Sequence, residues 1–254
     1  MGLRNGYFLG HKISKHRLED TMENRMPYMD RSQAQVRVSE FVRGVYNWMA
    51  VGLGLTGLVA YVVASNAALF QIVRTAFFPI AIVEIGLVFF LSARIQRIQA
   101  TTATLLFMIY AALNGATFSI IFKVYAQSTI ATTFFICASS FLALSIYGWT
   151  TKRDLTGLGS FMMMGFWGIL IASVINIFMG SYGMQMIISY IGVLVFAGLT
   201  AYDTQKIKIM ALTQPADVSA MAVRKGSILG ALQLYLDFIL MFQYLLFILG
   251  GRRE

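Results

Sequence analysis

The chain is predicted to be an all-α membrane protein, a bundle of seven transmembrane helices. It has 254 residues, of which 58% are hydrophobic and only 12% charged, about half the charge of a soluble domain. What charge there is gathers at one end. The first 43 residues hold eight of the 20 Lys/Arg and five of the 11 Asp/Glu, leaving 18 charges for the other 211 residues. In those 211 residues, apolar runs of about 20 residues, the length that crosses a bilayer as a helix, recur near 42–65, 76–94, 102–123, 128–149, 157–179, 184–205 and 227–249. These runs are continuous and show no period-2 alternation of a barrel.

Residues 1–40 form a separate polar segment, mixed in charge and rich in Arg and Met, expected to be a mostly disordered or surface-lying tail. They lack the basic-then-apolar order of a cleaved signal peptide, because the first long apolar run begins after residue 40. The membrane domain then occupies 41–254. Its first helix carries Ala50, Gly52, Gly54 and Gly57, small residues at helical spacings that allow close backbone approach; ordinary bundle packing accounts for them better than a dimer interface. The second helix carries Glu84 and ends at Arg94. The Met162–Met164 run and the Phe-rich segments of the later helices read as lipid-facing or core filler rather than a cofactor box. Helix six is expected to continue through Lys208, which leaves Asp203 below the membrane surface. Asp237 lies about 11 residues, or ~16 Å at 1.5 Å per residue, into helix seven. No internal repeat supports an inverted-repeat transporter.

Orientation follows from the basic residues. With the amino terminus inside, 16 Lys/Arg fall on the inner side and four on the outer (Arg74, Lys123, Arg252 and Arg253). The amino terminus is therefore predicted to be cytoplasmic and the carboxyl terminus outside. The net charge of +9 belongs to this bias and does not point to nucleic acid. The single cysteine, Cys137, cannot form an intrachain disulfide or a Cys-based zinc site. His11 and His16 both lie in the polar segment, so no membrane imidazole is available for catalysis, haem ligation or proton relay. No cofactor is implied, and residues 227–249 hold no lysine for retinal.

Three acids fall inside spans: Glu84, Asp203 and Asp237. Each costs about 2.5–3.5 kcal/mol at the bilayer centre on an insertion scale, which makes each a functional candidate. The plainer reading is separate snorkelling acids at helix ends. It competes evenly for Asp203 and poorly for Asp237, which lies near mid-helix with Gln233 one turn earlier on the same face. Two carboxyls at one site resist joint ionisation, and a nearby Arg acts in the opposite sense. Such a pair titrates as a unit, a pH sensor without histidine.

The stretch Ala201-Tyr202-Asp203-Thr204-Gln205-Lys206-Ile207-Lys208 resembles the signature of the Bax inhibitor family, the transmembrane Bax inhibitor motif proteins. Phe41 to Thr56, with Val45-Tyr46 and Met49, resembles the family's first helix. Thr151-Lys152-Arg153-Asp154-Leu155 with Gly157 and Gly159 resembles the junction of helices four and five. Asn176 matches an Asn near the end of helix five, and Leu234-Tyr235-Leu236-Asp237-Phe238 matches the last helix. The resemblance covers about residues 40–250 and leaves the amino-terminal segment out.

The resemblance implies a bacterial inner-membrane protein with six helices around a central seventh, and a pH-sensitive calcium leak. It implies a proton-sharing pair at Asp203 and Asp237, latched by an Arg at the end of helix two, Arg94 or its neighbour Arg97. Glu84 then marks a further polar position on the ion path, and the aspartates are transient calcium ligands, too few in oxygens for tight binding. In that picture a shared proton with Arg94 engaged holds helices two, six and seven closed at the cytoplasmic mouth. The alternative main role is regulatory: bacterial relatives are similar in being linked to membrane-bound quality-control proteases, and residues 1–40 offer a contact. Paired membrane aspartates also occur in presenilin-type proteases. Those enzymes carry Gly-x-Gly-Asp where this chain has Leu-Tyr-Leu-Asp, and a Pro-Ala-Leu motif that is absent here, so an enzyme is not expected.

Overall fold

A computed structural model describes residues 8–95, 97–213 and 219–250, with side chains from residue 36 onward except 37. The regular elements among the described residues are helices: α1 (Phe8–Ser65), α2 (Ala67–Thr75), α3 (Phe77–Arg94), α4 (Ala100–Phe118), α5 (Ile121–Val124), α6 (Gln127–Thr150), α7 (Thr156–Met179), α8 (Tyr182–Leu212) and α9 (Ala220–Gly250). Among the described residues seven spans are long and apolar enough to cross a membrane: Val38–Ser65 of α1, α3, Ala100–Val124 formed by α4 and α5, then α6, α7, α8 and α9. The chain divides into two compact units, Met1–Glu40 and Phe41–Glu254. The backbone of the first unit is helical from Phe8, where the expectation was a mostly disordered or surface-lying tail. Its frequent Arg, Lys, Glu, Gln and Met are good helix formers, which composition-based disorder arguments underweight.

The seven spans fall where the apolar runs placed them, with three departures. First, α8 and α9 run for 31 residues each, about 46 Å of helix against a hydrocarbon core of about 30 Å. The excess carries Lys206, Lys208, Arg224 and Lys225, whose charges end the apolar run without ending the helix. Second, the link between the first two spans forms α2. Asn66 starts it by accepting the N–H groups of Ala68 and Leu69 at 3.0 and 3.1 Å, which satisfies two of the donors that a helix start leaves open. Third, the third span is broken: α4 ends at Phe118, Ser119 bonds back to the Ala116 carbonyl at 2.6 Å, and a short α5 resumes at Ile121.

Burial is unequal. Half of the most apolar window of α9 is buried and 44% of that of α8, but only 6% of that of α3. α9 packs on α8, α6 and α4, and α8 packs on α6, α7 and α9, whereas α3 rests mainly on α4. The α6–α8 contact depends on a glycine: a Cβ at Gly148 collides with the Ala201 carbonyl oxygen, so a side chain there forces the two backbones apart. Of the small residues expected to mediate close contacts in the first span, Gly52 does so, since a Cβ there lies 2.6 Å from the Phe107 ring. Gly54 and Gly57 do not: a Cβ at either meets nothing within 4 Å.

A buried polar node ties α1, α4 and α9 together. Thr56 Oγ1 lies 2.9 Å from the carbonyls of Gly52 and Ala111 and 2.7 Å from the Tyr235 hydroxyl. Carbonyls only accept, so the threonine proton goes to them and the tyrosine O–H donates to Oγ1. Tyr235 is fully buried, with Phe107 and Tyr110 edge-on to its ring at centroid distances of 5.8 Å. Thr56→Val keeps the shape and strands the tyrosine hydroxyl. The expected result is a loss of about 1–3 kcal/mol, read as a lower thermal midpoint in detergent, while Tyr235→Phe in the same background recovers part of it.

Candidate functional site

The acids that the sequence singled out are spread over α3, α8 and α9, and the fold turns all three toward one space. A cavity of about 670 Å³ lies between these helices, α4 and α7. Glu84 of α3, Asp203 of α8 and Asp237 of α9 line it, among walls that are otherwise mostly aromatic and aliphatic. α4 contributes Tyr110, Asn114 and Thr117, which recur at three- to four-residue spacing and so share one helix face. α9 contributes Gln233, Asp237 and Gln243.

The polar groups in the cavity are incompletely paired. Thr117 Oγ1 donates to Glu84 Oε1 at 3.2 Å and lies 2.9 Å from the Asn114 carbonyl. Asp237 is 4% exposed, and its Oδ2 has no hydrogen-bond partner among the described residues. Gln233 Oε1, one turn earlier on α9, is likewise without one. Buried acceptors are nearly always satisfied by protein, water or an ion. Two orphan oxygens on one helix face therefore describe a site built to receive a proton, a water or a cation. Among the described residues no cluster of three or more His, Cys, Asp or Glu is assembled.

The cations are placed differently from the resemblance. Arg94 ends α3 with its side chain exposed, and Arg97 beyond it is also exposed. Neither lines the cavity, and among the described residues neither makes an ion pair with Asp203 or Asp237. Lys206 stands three residues after Asp203 on α8, on the same side of that helix. The sequence held this i, i+3 Asp–Lys spacing within the expected extent of helix six, where Lys206 served only in the charge count for orientation and in the signature stretch.

Two residues beyond Asp203, Gln205 fastens α8 to the loop between α6 and α7. Its Nε2 donates to the Arg153 carbonyl at 2.8 Å, and its Oε1 accepts the Leu155 N–H at 2.8 Å. Lys208 adds a bond from Nζ to the Trp149 carbonyl at 2.6 Å. In the same loop the Asp154 carboxylate accepts the hydroxyl and N–H of Thr156 at 2.6 and 2.9 Å, which holds it below the usual carboxylate range. A depressed carboxyl stabilises the loop above its unfolded titration point, and that contribution fades as pH falls through the folded one.

Comparison with known proteins agrees with this architecture. The family described as Inhibitor of apoptosis-promoting Bax1 matches residues 38–254. The inner membrane protein YbhL of Escherichia coli is 46% identical over 224 residues, 87% of this chain and 95% of that one. A protein of Borreliella burgdorferi is 41% identical, covering 85% of this chain and 94% of its own. A membrane protein of Streptococcus pyogenes is 39% identical, covering 86% and 96%.

The loop clamp is open to direct measurement. Gln205→Leu removes both bonds to the loop, and hydrogen exchange at the Leu155 amide is expected to accelerate while amides within α6 and α7 keep their protection. Unchanged exchange at Leu155 assigns the loop's order to Lys208 and the Asp154 turn instead.

Proposed function

Because the chain belongs to the Bax inhibitor family, as a multi-pass membrane protein, we propose that it is a pH-sensitive calcium leak of the bacterial inner membrane, gated by Asp203 and Asp237. The observation that carries this reading is the single cavity onto which both aspartates and Glu84 open, with one oxygen of Asp237 unpartnered. Carboxylate and amide oxygens are hard ligands suited to calcium. Their small number favours transient occupancy and passage over tight binding. Protonation changes the charge and hydrogen bonding of the pair and biases closed against open. The amino terminus is cytoplasmic in this reading, which puts Lys206 and the Gln205 clamp at the inner mouth.

The cation that works with the pair is taken to be Lys206, with Arg94 as the rival from resemblance. The amino-terminal segment has a different standing, since the family match begins at residue 38. A contact with a membrane-bound protease through residues 1–40 is a second role that coexists with ion flux.

Calcium uptake into dye-loaded liposomes, measured across pH, tests the reading. Wild type is expected to show flux with a pH midpoint, and Asp203→Asn and Asp237→Asn to flatten the profile. A leak whose pH dependence survives both substitutions refutes the pair as the gate. Lys206→Gln is expected to displace the midpoint, and Arg94→Gln to leave it in place; the reverse result restores Arg94 as the partner. Removing residues 1–37 is expected to leave flux unchanged, since every cavity residue lies outside that segment.

A further inference from the structure

A second cavity of about 410 Å³ has a different character from the acid-lined one. It lies between α1, the α4–α5 break, α6 and α9, and its lining is almost wholly apolar. Phe118, Ile121 and Ile239 line both cavities and form the wall between them. Along α1 the slot runs from Leu53 to Tyr61, eight residues or about 12 Å, so it is elongated along the membrane normal. Gly57 forms part of its side, exposed and with space for a Cβ that meets nothing within 4 Å. Tyr61 and Phe135, at 57% and 68% exposure, flank it on the lipid-facing surface. A pocket of a few hundred Å³ with apolar walls and a polar edge is the usual form of a small-molecule site.

Two cations stand on the segments next to the slot, outside its lining. Lys123 follows directly on the lining residue Phe122, and its Nζ stands 5.5 Å from the centroid of the Phe70 ring on α2. Arg74 lies one turn further along α2, on the face of Phe70. No Asp or Glu occurs at 41–83 or 85–153, so the sequence around these two cations supplies no acid to neutralise them. α2 itself is short and has its basic residue in the last turn, between the first and second spans.

The geometry points to a phospholipid site: one acyl chain occupies the slot between α1 and α6, and Lys123 with Arg74 holds the phosphate. The apolar slot opens sideways at Gly57, where only lipid has access in a membrane. Basic groups beside an inter-helix pocket are the known form of headgroup recognition. In the orientation proposed above, the lipid comes from the outer leaflet. A bound chain also rests on Phe118 and Ile239, the wall of the acid-lined cavity.

Native mass spectrometry of the purified full-length protein tests this, with added phosphatidylethanolamine or a diacylglycerol bearing the same two chains. Wild type is expected to retain the phospholipid and to bind the diacylglycerol more weakly. Gly57→Leu, which fills the slot, loses the phospholipid. Gly54→Leu, one turn away with equal free space but outside the cavity, retains it. Lys123→Gln brings phospholipid binding down to the level of diacylglycerol. If Gly57→Leu fails to fold, as read by its thermal melt, the exposed Lys123→Gln decides. Wild type that binds neither lipid, binds both equally, or carries only detergent or a second copy of the chain overturns the proposal. So does a folded Gly57→Leu that binds as wild type does.

Discussion

A carboxyl group buried in a membrane has no water to fall back on, and this condition organises the chain around Asp237. An isolated charge at that depth is tolerated only if the surrounding helices provide polar partners or an aqueous space. Here α9 carries the acid into the best-buried part of the bundle, and Gln233 of the same helix joins Tyr110, Asn114 and Asp203 of its neighbours around one cavity. The opposite face of α9 is fixed by an independent polar bond, since Tyr235, two residues before Asp237, is held by Thr56. A tyrosine anchored to α1 and α4 sets the rotation of α9 about its axis. That rotation determines which space Asp237 faces.

The helices were legible because a span is a local property: about 20 contiguous apolar residues announce it whatever they pack against. The three acids were legible for a related reason, since a carboxyl inside such a run is costly and therefore conspicuous. Residues whose role depends on distant partners left no such trace. Gln205 meets residues about 50 positions away and Thr56 a hydroxyl 179 positions away, and neither spacing carries a pattern. The extension of α8 through Lys208 was expected from the sequence, whereas the start of α9 at Ala220 was not, because a helix continues into water long after its sequence stops being apolar. The break at Ser119 was hidden because every residue around it is compatible with a continuous helix.

Contacts near Asp203 and contacts near Glu84 differ in kind. Around Asp203, α8 meets α6 backbone to backbone at Gly148, is tied to the last turn of α6 by Lys208 and is fastened to the following loop by Gln205. Glu84 has one side-chain hydrogen bond among the described residues, from Thr117, and rides on a helix that buries little of itself. One wall of the cavity is thus built from rigidly interlocked helices and another from a lightly held one. Opposing walls of unequal stiffness deform on the weaker side first.

The interruption of the third span bears on both cavities at once. Its hydrogen bonding tightens there, with Ser119 N–H shared between the Gly115 and Ala116 carbonyls and Ile120 N–H on the Thr117 carbonyl, while the backbone keeps helical dihedrals. Phe118 and Ile121, on either side of this turn, line the acid-bearing cavity and the apolar one alike. A shift at the tighter turn therefore reaches both spaces together.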